Sequence, residues 1–128
     1  MPKQIVATAR APAAIGPYSQ AIKVGQFVFL SGQIGLDPAT GALVEGGFAA
    51  QVQQAFANLA EVAAAAGGSL GDVVKFTLFL TDLSQFAQAN DIMAAQVPQP
   101  FPASSTVGVA SLPRGALFEV EAILALEG

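Results

Sequence analysis

The chain has 128 residues and a net charge of −4, with no cysteine and no histidine. These counts exclude disulfides, thiolate nucleophiles, Ser-His-Asp and Cys-His constellations and His-based metal centres. The five basic residues, Lys3, Arg10, Lys23, Lys75 and Arg114, are scattered singly, which argues against nucleic acid as a partner.

The length suits one domain, residues 1–128, large enough to bury a core. Hydrophobic residues make up 53% and charged ones 11%, where roughly 25% charged is usual. So few charges cannot cover a monomer's surface, which predicts a homo-oligomer that hides one apolar face. No apolar run reaches the ~18 residues of a membrane span, and no signal-peptide stretch follows Met1-Pro2-Lys3. A cytoplasmic protein with no membrane partner is expected.

Residues 3–7 and 20–32 read as strands, the second interrupted at Gly25. Asp37-Pro38-Ala39-Thr40-Gly41 carries turn chemistry at every position. From Phe48 onward, Phe48, Val52, Ala55, Phe56, Leu59 and Val62 recur at helical spacing, with Gln51, Gln54, Asn58 and Glu61 elsewhere around the wheel. Gly67-Gly68 stops that helix, and residues 73–80 have the β-branched and aromatic content of a strand. Asp82 and Gln85 suggest a capping box for a second helix from Leu83 to about Val97, which Pro98, Pro100 and Pro102 end. Strands are expected at 104–112 and 116–126. The order implies an α+β fold with two helices on one face of a mixed sheet, the other face forming the oligomer contact.

In the last strand Leu117, Glu119, Glu121, Ile123 and Ala125 share one side. A solvated face would explain the glutamates, but Leu117 and Ile123 do not suit one. A carboxylate among apolar neighbours is desolvated, which raises its pKa and suits it to accept a proton or orient water. Ser104, Thr106 and Gly108 share one side of the preceding strand, which fits either a pocket floor or an ordinary edge strand.

The segments Ile15-Gly16-Pro17-Tyr18-Ser19-Gln20-Ala21, Ser31-Gly32-Gln33-Ile34, Asn90, Phe101-Pro102-Ala103, Leu112-Pro113 and Glu119-Val120-Glu121-Ala122 occur in the order found in the Rid (YjgF) family, which the chain resembles over nearly its whole length. The resemblance implies a chorismate-mutase-like fold and a homotrimer with a barrel core. It also implies interface clefts where 2-imino or enamine acids are hydrolysed to keto acids and ammonia, without a cofactor or metal. Carried over by position, Tyr18 lines the cleft, Ser31 and Gly32 contact substrate, Asn90 shapes the wall and Glu119 orients water, while Ser104 and Thr106 occupy further substrate positions. Some family members are labelled endoribonucleases, a chemistry that a sequence pI of about 4.4 and the absence of histidine disfavour.

The family's deaminases read Pro-Ala-Arg-Ser where this chain reads Pro102-Ala103-Ser104-Ser105, and often have cysteine where it has Thr106. A guanidinium grips a carboxylate through two charge-assisted bonds, ~1.5–3 kcal/mol each, and a serine offers one neutral bond. The exchange predicts weaker 2-imino acid binding, on the order of a hundredfold or more. Lys3, Lys23 and Lys75 are not placed to replace the charge. Arg10 and Arg114 lie in loops that could approach the cleft, yet neither is the expected substitute. The segment Met93–Pro100 is shorter and less aromatic than the family's usual run, which predicts an altered rim.

Two functions follow: a Rid-type deaminase, weakened or redirected to imines without a carboxylate, or a non-catalytic trimer that binds a small metabolite in the same cleft. A Pro2 tautomerase, formed on removal of Met1, is a lesser alternative that leaves the Rid segments unexplained.

Overall fold

The computed structural model describes residues 2–127; Met1 and Gly128 lie outside them, and with Met1 the leader and Pro2-exposure readings. Six strands, β1 Gln4–Val6, β2 Ala21–Val24, β3 Phe27–Gln33, β4 Val73–Leu80, β5 Ala103–Gly108 and β6 Phe118–Ala125, form one sheet ordered β1-β2-β3-β6-β4-β5. Only β4 and β5 run parallel. They are joined through helix α2, Phe86–Gln96, as a parallel pair requires a crossover. Helix α1, Gly47–Ala65, links β3 to β4. The fold is the expected α+β arrangement.

The helical spacing in α1 does what the sequence suggests. Phe48, Val52, Ala55, Phe56, Leu59 and Val62 are all buried, packed on Val28 and Leu30 of β3, Phe76, Leu78 and Leu80 of β4, and Phe118, Val120 and Leu124 of β6. Phe56 meets Phe76 edge to face with ring centroids 5.7 Å apart, and lies 5.9 Å from Phe118. Such pairs add about 0.5–1.5 kcal/mol beyond their area. Gly67, at φ 93°, turns the chain away from the helix, and the Gly68 amide donates to Ala63 O at 2.9 Å.

Gln51 and Asn58 depart from the expected polar face, being 7% and 1% exposed. Both are buried because each satisfies backbone that has no ladder partner. Asn58 donates to the carbonyls of Ile34 and Leu36 at 3.3 and 2.9 Å, and Gln51 accepts from the Leu117 amide at 2.9 Å. The turn at 37–41 forms as read, with the Gly41 amide donating to Asp37 O at 2.8 Å.

The second helix is also shorter than expected. Asp82 accepts from the Ser84 amide at 2.9 Å, but this caps a tight 3-10 turn, Leu83–Gln85, before α2 begins. β5 ends at Gly108 rather than 112, and β6 begins at Phe118 rather than 116. Between them Pro113–Gly115 closes into another 3-10 turn that takes this stretch out of the ladder.

The helix-free face of the sheet is uncovered in the protomer. Ile5, Ile22, Phe29 and Ile123 stand in one cross-strand row on it. Ile5 is 75% exposed and Phe29 48%.

Candidate active site

A bulge in β3 builds the centre of the site. Leu30 pairs with Ala122 and Gln33 with Val120, so Ser31 and Gly32 together oppose the single residue Glu121. The extra residue turns Gln33 to the buried side and leaves Ser31 and Gly32 beside Glu119 of β6. The missing side chain of Gly32 makes room for Glu119. A Cβ on Gly32 would lie 2.8 Å from Glu119 Cδ and 3.1 Å from Cγ, so the carboxylate lies in the space a side chain would fill.

Around this pair lies a cavity of about 300 Å³ whose lining includes Pro12, Tyr18, Ser31, Gly32, Arg114 and Glu119. Gln20 ties down its rim from within: its side-chain oxygen accepts from the Thr8 amide at 2.6 Å and its nitrogen donates to Pro12 O at 2.7 Å. Ser31 Oγ donates to Ser19 O at 2.6 Å, which leaves its lone pairs free to accept. The Tyr18 hydroxyl oxygen accepts from the Ile15 amide at 3.2 Å and keeps its own proton to donate. Glu119 is half-buried. Desolvation, and secondarily the neighbouring charge of Glu121, push its pKa above the ordinary value of 4.5.

The remaining site residues read from the sequence are not in this cavity. Ser104 and Thr106 are in register with Phe76 and Leu78, so they face the helix side of the sheet, opposite to Glu119. Two strand spacings, roughly 10 Å, also separate β5 from β6. Ser104 lines a second cavity of about 320 Å³ with Asn90, Met93 and Ala94 of α2, Val97, Phe101 and Pro102. Thr106 is half-buried two register pairs further along β5. The protomer therefore holds two groups: Tyr18, Ser31, Gly32 and Glu119 in one cleft, and Asn90 and Ser104 in another.

Of the two loop arginines, Arg10 lines a separate surface hollow with Asp37 and Glu61. Arg114 lines the Glu119 cavity. From the sequence it was one of two loop arginines able to approach the cleft, without being the expected substitute, and its place directly after the family segment Leu112-Pro113 was the signal for it.

The six-stranded α+β fold that carries this carboxylate is shared with many solved proteins. Residues 8–126 match the family model described as Endoribonuclease L-PSP, and the chain belongs to that family, the Rid/YjgF proteins. It is 47% identical over 126 residues to the 2-iminobutanoate/2-iminopropanoate deaminase of Dermatophagoides farinae, covering 98% of each chain. The bovine protein of the same name is 46% identical, with 94% of this chain and 88% of that protein covered. The crystal structure of RidA from an Antarctic Psychrobacter superposes with a TM-score of 0.93 at 52% identity, covering 96% of this chain and 99% of that one.

Proposed function

We propose that this protein is an imine deaminase: it adds water across the C=N bond of a small imine, or of the imine tautomer of an enamine, and releases a carbonyl compound and ammonia. The observation that carries the reading is the half-buried Glu119 carboxylate, raised in pKa and facing a small cavity with Tyr18, Ser31 and Gly32. Glu119 accepts a proton from the attacking water as its oxygen bonds to the imine carbon and returns it to the nitrogen, giving a carbinolamine; the carbinolamine hydroxyl then passes its proton, again through Glu119, to the nitrogen as the C–N bond breaks and ammonia leaves. Ser31 Oγ accepts from the imine N–H, and Tyr18 donates to a polar group of the substrate. The identity to proteins named as 2-imino acid deaminases supports the same chemistry.

The homotrimer belongs to this proposal. The apolar row Ile5, Ile22, Phe29 and Ile123 on the open sheet face supports burial against other copies. In such an assembly Asn90, Ser104 and Thr106 reach a Glu119 cleft only from a neighbouring copy, since their own chain turns them away from it.

Ser104 supports a second reading, a trimer that binds a small metabolite without turning it over, because it stands where the deaminases of the family carry arginine. A dehydratase-coupled assay with 2-iminobutanoate, run on the natural protein and on Ser104→Arg, tests both. Faster ammonia release from the natural protein, rising tenfold or more in kcat/KM with Ser104→Arg, is the expected result. Equal activity of the two forms sinks the role given to Ser104. No activity in either, with both still trimeric, leaves the binding reading in the lead.

A further inference from the structure

We propose that Arg114 is the residue through which this cleft recognises a ligand carboxylate, in place of a cation at position 104. The choice of ligand rests on the deaminase reading. Arg114 is the one basic side chain among the residues lining the Glu119 cavity. Lys75 is turned elsewhere and donates to Ser105 Oγ at 2.7 Å.

The backbone at Arg114 is unusual in a way that fits the role. Its φ of 62° is, among the described residues, the only positive φ outside glycine. Arginine has no intrinsic preference for that region, and such conformations gather at binding and catalytic sites. Here the conformation places the side chain over the turn Asp37–Gly41, where Nη2 donates to Gly41 O at 2.8 Å. That bond tethers the guanidinium at one corner. Four of its five N–H donors remain, enough for a bidentate grip on a carboxylate.

The tether is itself supported. Asn58 holds the Leu36 carbonyl, and the Asp37 amide donates to Ala42 O at 2.8 Å, so the Gly41 carbonyl is fixed relative to α1. Glu119 and Arg114 thus present opposite charges to one cavity of about 300 Å³, at the lower end of the range for small-molecule sites. A 2-imino acid offers a group to each, its carboxylate to the guanidinium and its imine carbon to the water that Glu119 activates.

The test compares the natural protein with Arg114→Asn and Arg114→Lys. Asparagine tolerates φ > 0 and so removes the charge while keeping the backbone; lysine keeps a charge without the fork. Two probes are titrated by NMR, 2-oxobutanoate and its neutral analogue 2-oxobutanamide, and ammonia release from 2-iminobutanoate is measured in parallel. Arg114→Asn should lower the preference for the carboxylate over the amide by about 10- to 100-fold, with Arg114→Lys between the two. A preference that moves less than about threefold in Arg114→Asn, or no binding of 2-oxobutanoate to the natural protein, overturns the inference. Failure to accelerate ammonia release, with the binding difference intact, overturns the deaminase reading and leaves this one standing.

Discussion

Burial of Glu119 beside Glu121 raises its pKa from the ordinary 4.5, and the sign of that shift drives activity and stability in opposite directions with pH. As a proton acceptor Glu119 has to be ionised, so kcat/KM should fall as pH drops through its raised pKa, with the acid limb above pH 4.5. Replacing the like charge by Glu121→Gln should move that limb to lower pH, which a pH–rate profile reads directly. Stability runs the other way. The folded chain holds this proton more tightly than the unfolded one, so folding takes up a proton between 4.5 and the raised value, and stability falls as pH rises through that window. Above the raised value the burden is fully present. Glu119→Gln should therefore lower kcat by about 10²- to 10⁴-fold while leaving Tm at pH 7 equal or higher. A lower Tm would mark Glu119 as a structural residue.

At the scale of elements, the bulge in β3 and the buried amides of α1 bring the cleft together. A methyl group at Gly32 would meet Glu119 Cδ at 2.8 Å, so Gly32→Ala should displace the carboxylate and remove most imine hydrolysis. The ladder on either side of the bulge, Leu30 to Ala122 and Gln33 to Val120, does not depend on that space, so circular dichroism should still show the folded sheet. Asn58 donates from α1 to the Ile34 and Leu36 carbonyls, and both residues line the cavity. Asn58→Ala leaves the Leu36 carbonyl without this partner, while Ile34 O still accepts from the Leu36 amide at 2.8 Å, and should cost about 1–3 kcal/mol in urea unfolding. The element order and the apolar stripe of α1 were legible from spacing alone. The inward turn of Gln51 and Asn58 was not, because a wheel of polar residues carries no mark of which amide will find an unpaired carbonyl.

At the scale of the whole molecule, the open sheet face sets the expectation for assembly. Ile5, Ile22, Phe29 and Ile123 form a row that no element of the same chain covers. Light scattering should give three times the 12.9 kDa chain mass, and Phe29→Asp, a charge in the middle of the row, should shift the population toward monomer. Activity should fall with it if Asn90 and Ser104 complete a neighbour's cleft. A monomeric natural protein would remove the proposed role of those two residues altogether.

The sequence by itself determined the α+β class, the two helices and the face that Glu119 shares with Glu121 and Ile123, because periods of 3.6 and 2 are local properties of the chain; Leu117, read onto that face, lies before β6 and packs against the core instead. Family segments in order placed Tyr18, Ser31, Gly32, Asn90 and Glu119 in one cleft with Ser104 and Thr106, and the structure brings Tyr18, Ser31, Gly32 and Glu119 to one cavity and Asn90 and Ser104 to another. Only the tertiary structure decided which distant loops share that cavity. Inserting β6 between β3 and β4 sets Glu119 against the bulge and, two strands away, turns Ser104 toward α2 on the opposite face. The turn after β5 then carries Arg114 over residues 37–41 and into the cleft. Strand order and loop contact arise from packing between residues far apart in sequence, so the periods of 3.6 and 2 around positions 104 and 114 do not encode them.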